Sequence, residues 1–536
     1  DFTLNVVGGL AAPFAKGPCN EITRVNNEND LVEIFGKPGV GTTDYHYETW
    51  YAASNFLSYG GKLDIVRCVG GDLNTANAAV GSASITLLLE GLEDYNNNQA
   101  DDLTWYFAAK NPGNWSENIK VAIIDNAADQ TITPTLETGT IAATKVGFGV
   151  TQALTGVTVG VGTTAAATGI LKGVVTGKTA TTLDVKVVST VIGGSETLVE
   201  YQQNSQFEFK TGTMLNIVNN AGTTSGKGST ITSADWYNSQ NILTSVADGG
   251  SDFTTLKWRA VLNKPKTNNY VSKRDGANDA LHIVVIDAGG GVTGDVGSVL
   301  EKFPNLSKAK DGVASGNESI FYKDFLANNS EYIFSGAHVT NADDSHHGTL
   351  ILPGGFTTGF TSITAAEGSW GQDAKNIKFS SIGNQGYSLT GGLDYTGVGV
   401  YNAPLGNILT SYDKFADPVD SDIRFLLQGG CSGSKEEEQA KANKLIQLAE
   451  GRKDCIAVIS PNRGSVVNVT DSAQQLSNVL SFFAPLTSSS YVVFDSGFQY
   501  VYDRFNKKFV YMPCSSDVAG CMVRTDRDFF PWFSPA

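Results

Sequence analysis

The sequence predicts an α+β multidomain fold with an α/β part, an α+β part and an inserted all-β barrel or sandwich. Three observations predict it. At 536 residues the chain is too long for one hydrophobic core. Residues 422–536 alternate strands with helices, the pattern of βαβ units and a parallel sheet. Residues 131–235 shift to Thr, Gly, Ala and Val with sparse charge and short alternating runs, the pattern of an all-β domain.

Residues 1–72 read as strand, loop, helix, strand. Asn26 is the expected N-cap of a short helix through Leu31, Ile34 and Phe35, which Gly36 and Pro38 stop. A longer helix carries Tyr47, Trp50, Tyr51, Ser54 and Leu57 on one face, a spacing that predicts core packing. Gly60–Gly61 ends it, and LDIVRCV reads as a buried strand. Residues 73–130 hold a helix-like patch followed by DLTWYFAAKNPGNWSENIKVAIID. Within 131–235, TLDVKVV puts Leu183, Val185 and Val187 on one face and Asp184 and Lys186 on the other. Turns are expected at Gly160, Gly177, Gly193–Gly194 and Gly212. Low-complexity disorder is the alternative, and the alternation and the pair Phe207 and Phe209 count against it. From Trp236 an α+β pattern resumes with NDALHIVVID, the helix FYKDFLAN (face Phe321, Phe325, Leu326) and SEYIFSGAHV. The end of the chain reads as strand IRFLLQGG, helix EEEQAKANKLIQLAEGR, strand DCIAVIS and a helix around DSAQQLSNVLSFFA. Alternating Phe498, Tyr500 and Tyr502 then lead through Asp503 and a turn at Phe505–Lys507 into KFVYMP and a last short helix, SSDVAGCMVRTDR.

Composition excludes several function classes. A formal charge of −16 argues against a nucleic-acid groove, which needs clustered Lys and Arg. No apolar run approaches the roughly 20 residues that span a bilayer as a helix. The start, DFTLNVVGGLAAPFA, has no initiator Met and no basic segment, so it does not read as a signal peptide. Six cysteines in so long a chain make no disulfide framework, and Cys68, Cys455 and Cys521 read as reduced core thiols.

Few residues carry chemistry. GGCSG around Cys431, between a strand and a helix, has the shape of a nucleophile elbow. Its base would be a histidine later in the chain, yet His46, His282, His338, His346 and His347 all precede it. A tight strand-to-helix turn is the better reading, with a Cys-dependent hydrolase as the alternative. Asp343, Asp344, His346 and His347 form an acidic and histidine cluster whose spacing matches no closed metal site; a solvated turn is the expectation. Residues 287–297 are glycine-rich after a strand but lack the Gly-Lys-Ser/Thr of a phosphate loop, and Asp287 and Asp295 would repel phosphate. They read as a loop with positive-φ positions. Asn114-Trp-Ser and Asn468-Val-Thr match glycosylation sequons only incidentally. No catalytic, cofactor-binding or metal-ligating residue is expected, and no cofactor.

Five motifs in order near the end, Ser490–Tyr491, Tyr500–Asp503, Met512–Pro513, Ala519–Asp526 and Trp532–Ala536, resemble those of the tail sheath proteins of contractile-tailed bacteriophages. The start resembles them too, in Gly17–Pro18, the cap Asn26, Phe35–Pro38, Asn55–Gly61 and Val66–Val69. So do the Pro-Gly-x-Trp segment near 112–115 (with Ser116–Glu117 where the family prefers Gly), Ser330–Phe334 and LTGGLDYTG at 389–397. The resemblance implies a nested architecture. An α/β core is built from both chain ends (1–72 and 386–536), an α+β middle domain from 73–130 and 236–385, and 131–235 is an outer all-β insertion. It implies a structural subunit that stacks with its copies as hexameric rings around the tail tube. That sheath contracts to drive the tube through the host envelope, and neighbours are tied by exchanged terminal strands. The implied partners are other sheath subunits, the tail tube protein, and baseplate and terminator proteins, with no nucleic acid and no membrane insertion. The implied location is the virion tail, assembled in the host cytoplasm. A sheath of a contractile injection system or bacteriocin is an alternative, as is a surface adhesin for the Thr/Gly-rich domain. Family members run on past Ser-Pro-Ala, so a chain that starts without Met and stops at Ala536 is expected to be a trimmed piece, mainly monomeric in solution.

Overall fold

The structure, a computed structural model, describes residues 6–39, 45–69, 75–81, 86–99, 104–117, 119–125, 128–157, 167–219, 221–243, 255–339, 368–395, 403–530 and 532–535. The protein is a mixed α/β multidomain chain containing a closed six-stranded barrel. It divides into two compact units. The first is Asp1–Asp102, Ala108–Glu117 and Thr390–Ala536; the second is Leu103–Phe107 and Asn118–Leu389.

The first unit is built on a six-stranded sheet. Its strands are β1 (Val7–Ala12), β2 (Ile22–Val25), β3 (Lys62–Arg67), β4 (Phe425–Leu427), β5 (Ile456–Ile459) and β6 (Val492–Phe494). Their spatial order is β2-β3-β1-β4-β5-β6. All neighbours are parallel except β2, which runs antiparallel to β3 at the edge. The parallel strands therefore follow the order 2-1-3-4-5, a doubly wound sheet whose direction of winding switches between β1 and β4. The edge strand β2 is absent from the sequence reading, because a four-residue run alternating Ile, Thr, Arg and Val is too short to register as a period.

Helices cover both faces. α1 (Glu28–Phe35) and α2 (His46–Ser58) follow β2, and α3 (Leu405–Tyr412) precedes β4. α4 (Lys435–Arg452) and α5 (Ser472–Phe483) connect the later strands, and α6 (Ser515–Asp528) closes the unit. Two cores result. Leu10, Trp50, Phe56, Leu427, Met512 and Val523 pack in one; Val7, Tyr412, Leu426, Leu445, Ile459 and Phe482 pack in the other. Such a two-faced core is why β1, β3 and β4 read as near-continuous apolar runs. The N-cap of α1 is Asn27, not Asn26. The Asn27 Oδ1 accepts the Asp30 N–H at 3.0 Å, while Asn26 bonds to the Asp30 carboxylate from outside the helix. α2 is buried well beyond the predicted stripe, with Ala52, Ala53 and Phe56 enclosed as well as Trp50 and Leu57, because α6 packs against it on the face of the sheet that both cover. There Gly520 lies under the Tyr59 ring. A Cβ at that position would sit 2.2 Å from Tyr59 Cδ2, so the approach of the two helices requires glycine. On leaving β3 the chain stays in this unit. Thr75–Ala76 pairs with Leu393–Asp394, and the buried Asn77 amide bonds to the carbonyl of Ala109 at 2.8 Å.

Among the described residues the second unit includes two large sheets and a short pairing of Asn241–Leu243 with Leu256–Lys257. The four-stranded sheet, all antiparallel, runs in the order Ser298–Ser307, Ala280–Asp287, Ile119–Ile124, Asn384–Ser388. Trp236, Tyr237 and Trp258 pack on it. The barrel closes through Gly149–Val157, Met214–Val218, Thr224–Asp235, Gln130–Thr138, Leu183–Ile192 and Ala167–Lys178, which pairs back with Gly149–Val157. Ser195–Leu198 adds to the outside of Leu183–Ile192. Leu183, Val185 and Val187 point inward as their alternation predicts, around Phe209, Leu171 and Leu215. Barrel interiors this narrow need small residues somewhere. A Cβ on Gly173 would lie 2.6 Å from Val185 and 2.8 Å from Phe209. Gly193–Gly194 and Gly212 sit in turns at positive φ, but Gly177 lies inside a strand, beside a register shift after Val175; the turn itself is Thr179–Thr182. Gly160 falls outside the described residues. The barrel leaves and re-enters its unit at adjacent points, since Gln130 and Asp235 are cross-strand partners.

Candidate functional site at the carboxyl edge of the parallel sheet

In doubly wound sheets, ligands bind beyond the carboxyl ends of the strands at the switch point. Here that point lies between β1 and β4, where the chain leaves β4 through Gln428-Gly-Gly-Cys-Ser-Gly-Ser434 into α4. A glycine-rich loop opening a helix is also an anion cradle, because its free N–H groups and the helix dipole favour negative charge.

The protein fills this cradle from within. The carboxylate of Glu48, from α2, accepts the Cys431 N–H at 3.0 Å and the Ser432 hydroxyl at 2.5 Å. Its other oxygen pairs with Arg463, from the loop after β5. A second carboxylate, Glu438, accepts the Gly433 N–H and the Gln428 amide, each at 3.1 Å, and pairs with Lys441 at 3.0 Å. Lys441 also donates to the Gly430 carbonyl. Ser434 and Glu437 close the helix with a reciprocal capping box. Gln428 accepts the Ser460 N–H at 2.8 Å, which joins the ends of β4 and β5. Glu48 and Glu438 are fully buried. Desolvation is the largest influence on Glu48 and pushes its carboxyl up, against the Ser432, Arg463 and Cys431 contacts, which favour the anion. An external phosphate would meet two carboxylates already seated on the donors it needs.

Cys431 sits in this loop as the turn its sequence predicts. Its thiol is fully enclosed, 3.7 Å from the Gly429 carbonyl. Burial, then Glu438, pushes the thiol well above its ordinary range. A thiol held protonated and out of contact with solvent is a poor nucleophile. Three of the five histidines are described, and each is bonded elsewhere. His46 lies on the Pro13 carbonyl and the Gly39 N–H, His282 on the Asn263 carbonyl and the Asn305 N–H, and His338 on the Tyr322 hydroxyl. Replacing Cys431 with Ala is expected to change stability by about 1 kcal/mol; denaturant midpoints of the variant check this. Residues 287–297 form a loop at positive φ at Gly290, Gly294 and Gly297. It is organised by Asp287, whose carboxylate accepts the N–H groups of Val292 and Thr293. The cluster Asp343, Asp344, His346 and His347 lies outside the described residues.

A second feature of the first unit is a hairpin, Phe498–Asp503 with Lys508–Pro513, that has no further strand beside it among the described residues. One face is bolted to the core. Val510 and Met512 are buried, and Asp503 accepts the Tyr51 hydroxyl at 2.7 Å and the N–H groups of Phe505 and Asn506 at 3.0 Å. Burial alone would raise the Asp503 carboxyl; these bonds hold it below the ordinary range. Phe505 packs edge-on against Trp50 with ring centroids 5.1 Å apart. The other face is aromatic and open. Tyr500, Tyr502 and Phe509 are 59%, 53% and 58% exposed, with Tyr500 stacked on Phe509 at 5.2 Å. The turn carries Arg504 and Lys507, and Lys508 opens the return strand.

Glu48, Glu438, Lys441 and Arg463 are absent from the sequence reading. Glu48 had a signal, a lone carboxylate inside the aromatic run His46–Trp50. Its partners, in the last quarter of the chain, had none.

Comparison with known proteins then gives the relationship. The chain is 25% identical over 565 residues to the tail sheath protein of Enterobacteria phage T4, spanning 98% of this chain and 70% of that protein. It is 21% identical over 560 residues to the tail sheath protein of Vibrio phage KVP40, spanning 98% and 71%. The chain is a homologue of phage tail sheath proteins. A shorter match, 24% identical over 312 residues, joins it to the tail sheath protein of Salmonella phage ViI, over 57% of this chain and 40% of that one. Among solved structures, the sheath tail protein of Desulfitobacterium hafniense aligns over 97% of this chain and 58% of its own, at 9% identity and a TM-score of 0.31. That of Listeria innocua aligns over 95% and 67%, at 9% identity and a TM-score of 0.26. No family model matches the chain.

Proposed function

We propose that this protein is a subunit of a contractile phage tail sheath. It stacks with its copies as hexameric rings around the tail tube, and contraction of the stack drives the tube through the host envelope. In this reading it is a virion component assembled in the host cytoplasm. It contacts neighbouring sheath subunits, the tube, the baseplate and the tail terminator, and carries no enzymatic activity. The architecture is nested. The barrel is inserted into an α+β domain, itself inserted between the two ends of the α/β core.

The hairpin Phe498–Pro513 carries the proposal. Among the described residues neither strand has a further strand on its outer edge, although the Tyr511 carbonyl accepts from Arg463 at 3.3 Å, and an open strand edge is what β-augmentation requires. It is fixed to a rigid core through Asp503 and Phe505, so a strand added by a second copy would be held in a defined orientation. Its exposed aromatic face supplies the apolar area that a neighbour would cover. The names and near-full coverage of the phage relatives support a second copy as the occupant.

The test is electron microscopy of the complete gene product, wild type and with Tyr500 and Tyr511 replaced by Pro. Wild-type protein is expected to form hollow six-fold tubes. The proline variants are expected to remain folded by circular dichroism but to lose polymerisation. Tubes that form equally well from the variants would sink the hairpin's role, and the absence of rings or tubes from wild type would sink the sheath reading.

A further inference from the structure

The first unit carries two exposed patches on opposite faces of its sheet. One is the aromatic face of the hairpin, where the Tyr502 and Phe509 rings lie 5.2 Å apart. Val510 and Met512 anchor that hairpin in the core that α2 and α6 share. The other is a knob, residues 416–420, in the segment that joins α3 to β4. Phe415 and Ile423, on either side of the knob, are buried in the core of the other face with α3 and α4. The sheet stands between the two patches, so one copy cannot bring them together.

The knob is held rigidly. The Arg452 guanidinium, itself buried, donates to the carbonyls of Phe415 at 2.7 Å, Asp417 at 3.2 Å and Ser421 at 2.8 Å. The Asp417 carboxylate accepts the Val419 N–H at 2.8 Å, and Pro418 fixes the backbone between them. All this bonding presents a valine to solvent. Val419 is 88% exposed, and none of the other large apolar side chains among the described residues is as exposed. A preformed knob loses little conformational entropy when it is covered.

The two patches are of opposite charge. Residues 413–422 hold four aspartates and one lysine. Asp413 pairs with Lys444 and Asp422 with Arg424, which leaves Asp417 and Asp420 without an ion pair. Residues 498–513 hold three cations and one carboxylate, Asp503, which is buried. Arg504 pairs with Glu28, and Lys507 is exposed at the turn. Copies of a chain with a formal charge of −16 repel one another unless their contacts bring opposite signs together.

We propose that the knob of one copy docks on the hairpin of the next, with Pro418 and Val419 on Tyr500, Tyr502 and Phe509, and Asp417 and Asp420 toward Arg504 and Lys507. Two different surfaces meet, so the contact is heterologous and repeats from copy to copy, closing a ring or extending a helix. The patch is small, and its charges set register and orientation more than affinity. The inference rests on the sheath reading for a second copy as the occupant.

Photo-crosslinking of the complete gene product, with benzoylphenylalanine in place of Tyr502, tests it. An equal mixture of ordinary and nitrogen-15-labelled protein identifies crosslinks between copies by mass. These are expected in peptides from 413–424. Asp417→Lys with Asp420→Lys is expected to lower their yield about tenfold, and adding Arg504→Glu and Lys507→Glu to the same chain is expected to recover it, since opposite charges then face each other again. All four positions are at the surface, so the fold is expected to survive the changes, and thermal midpoints check this. No crosslink between copies, crosslinks on another segment, or an unchanged yield after charge reversal overturns the docking. Electron microscopy of the same samples judges the sheath reading separately. Tubes without the 413–424 crosslink overturn the knob contact alone, and the crosslink without tubes or rings overturns the sheath reading alone.

Discussion

Glu48→Ala lowers the stability of the first unit by about 3–5 kcal/mol, the usual result of removing one partner from a buried, hydrogen-bonded ion pair. The Arg463 guanidinium, 16% exposed, is left without its carboxylate. The Cys431 N–H and the Ser432 hydroxyl also lose their acceptor inside the protein. Each such loss costs about 1–3 kcal/mol. Two strands and a helix are affected together, because Glu48 on α2 ties the loop after β4 to the loop after β5. Glu48→Gln keeps an acceptor of the same shape and is expected to cost less, about 1–2 kcal/mol. Glu48→Leu combined with Arg463→Met removes both charges and is expected to recover part of the loss. Urea denaturation followed by hydrogen exchange in peptides from α4 and β5 measures the effect. A Glu48→Ala protein with wild-type protection in those peptides would show that the cradle is not held from within.

Lys308→Met has an effect of the same size, about 3–5 kcal/mol, in the second unit. Lys308 and Asp125 are both fully buried and their side chains meet at 2.7 Å. The Lys308 ammonium also donates to the Ser380 carbonyl at 3.0 Å and lies 5.2 Å from the Trp370 ring centroid. Asp125 in turn accepts the N–H groups of Ile382 at 3.0 Å and Gly383 at 2.7 Å. The pair therefore joins the end of Ile119–Ile124 to the segment that leads into Asn384–Ser388, a neighbouring strand of the same sheet. With Lys308 gone, Asp125 keeps two backbone donors but no counter-charge. Pairing Lys308→Met with Asp125→Asn removes the uncompensated charge but is expected to restore less than half of the loss, since Ile382 and Gly383 donate to different carboxylate oxygens and the amide keeps an acceptor for only one of them. The midpoint of the thermal transition, read with the exchange of Asn384–Ser388 amides, separates the three proteins. Equal midpoints for wild type and Lys308→Met would mean that the buried pair contributes nothing.

The resemblance of the sequence to phage tail sheaths rests on short motifs, and the structure gives several of them a physical role. Arg67, inside Val66–Val69, is buried and donates to the carbonyls of Phe14 and Gly17 at 2.9 Å, which pins the loop after β1 and explains the Gly17–Pro18 motif beside it. Asp503, at the end of Tyr500–Asp503, builds the hairpin turn and locks it to Tyr51. Gly520, in Ala519–Asp526, permits α6 to lie against Tyr59. The motifs mark places where backbone or charge is held by one residue type.

Sequence by itself determined the local elements of this protein. The helices Lys435–Arg452 and Ser472–Phe483, the hairpin turn after Asp503, and the inward face of Leu183, Val185 and Val187 all follow from period, cap and turn chemistry, which act over a few residues. Local ambiguity accounts for the small errors. Two adjacent asparagines compete for one cap, and a glycine in a strand reads like a glycine in a turn. Only the tertiary structure decided the strand order 2-1-3-4-5, the closure of the barrel, and the filling of the switch-point cradle. The bond between Glu48 and Cys431 spans 383 residues. No periodicity carries information over that distance. A carboxylate in an aromatic helix becomes tolerable only once folding brings its donors to it, and that free energy belongs to the assembled unit, not to either segment alone.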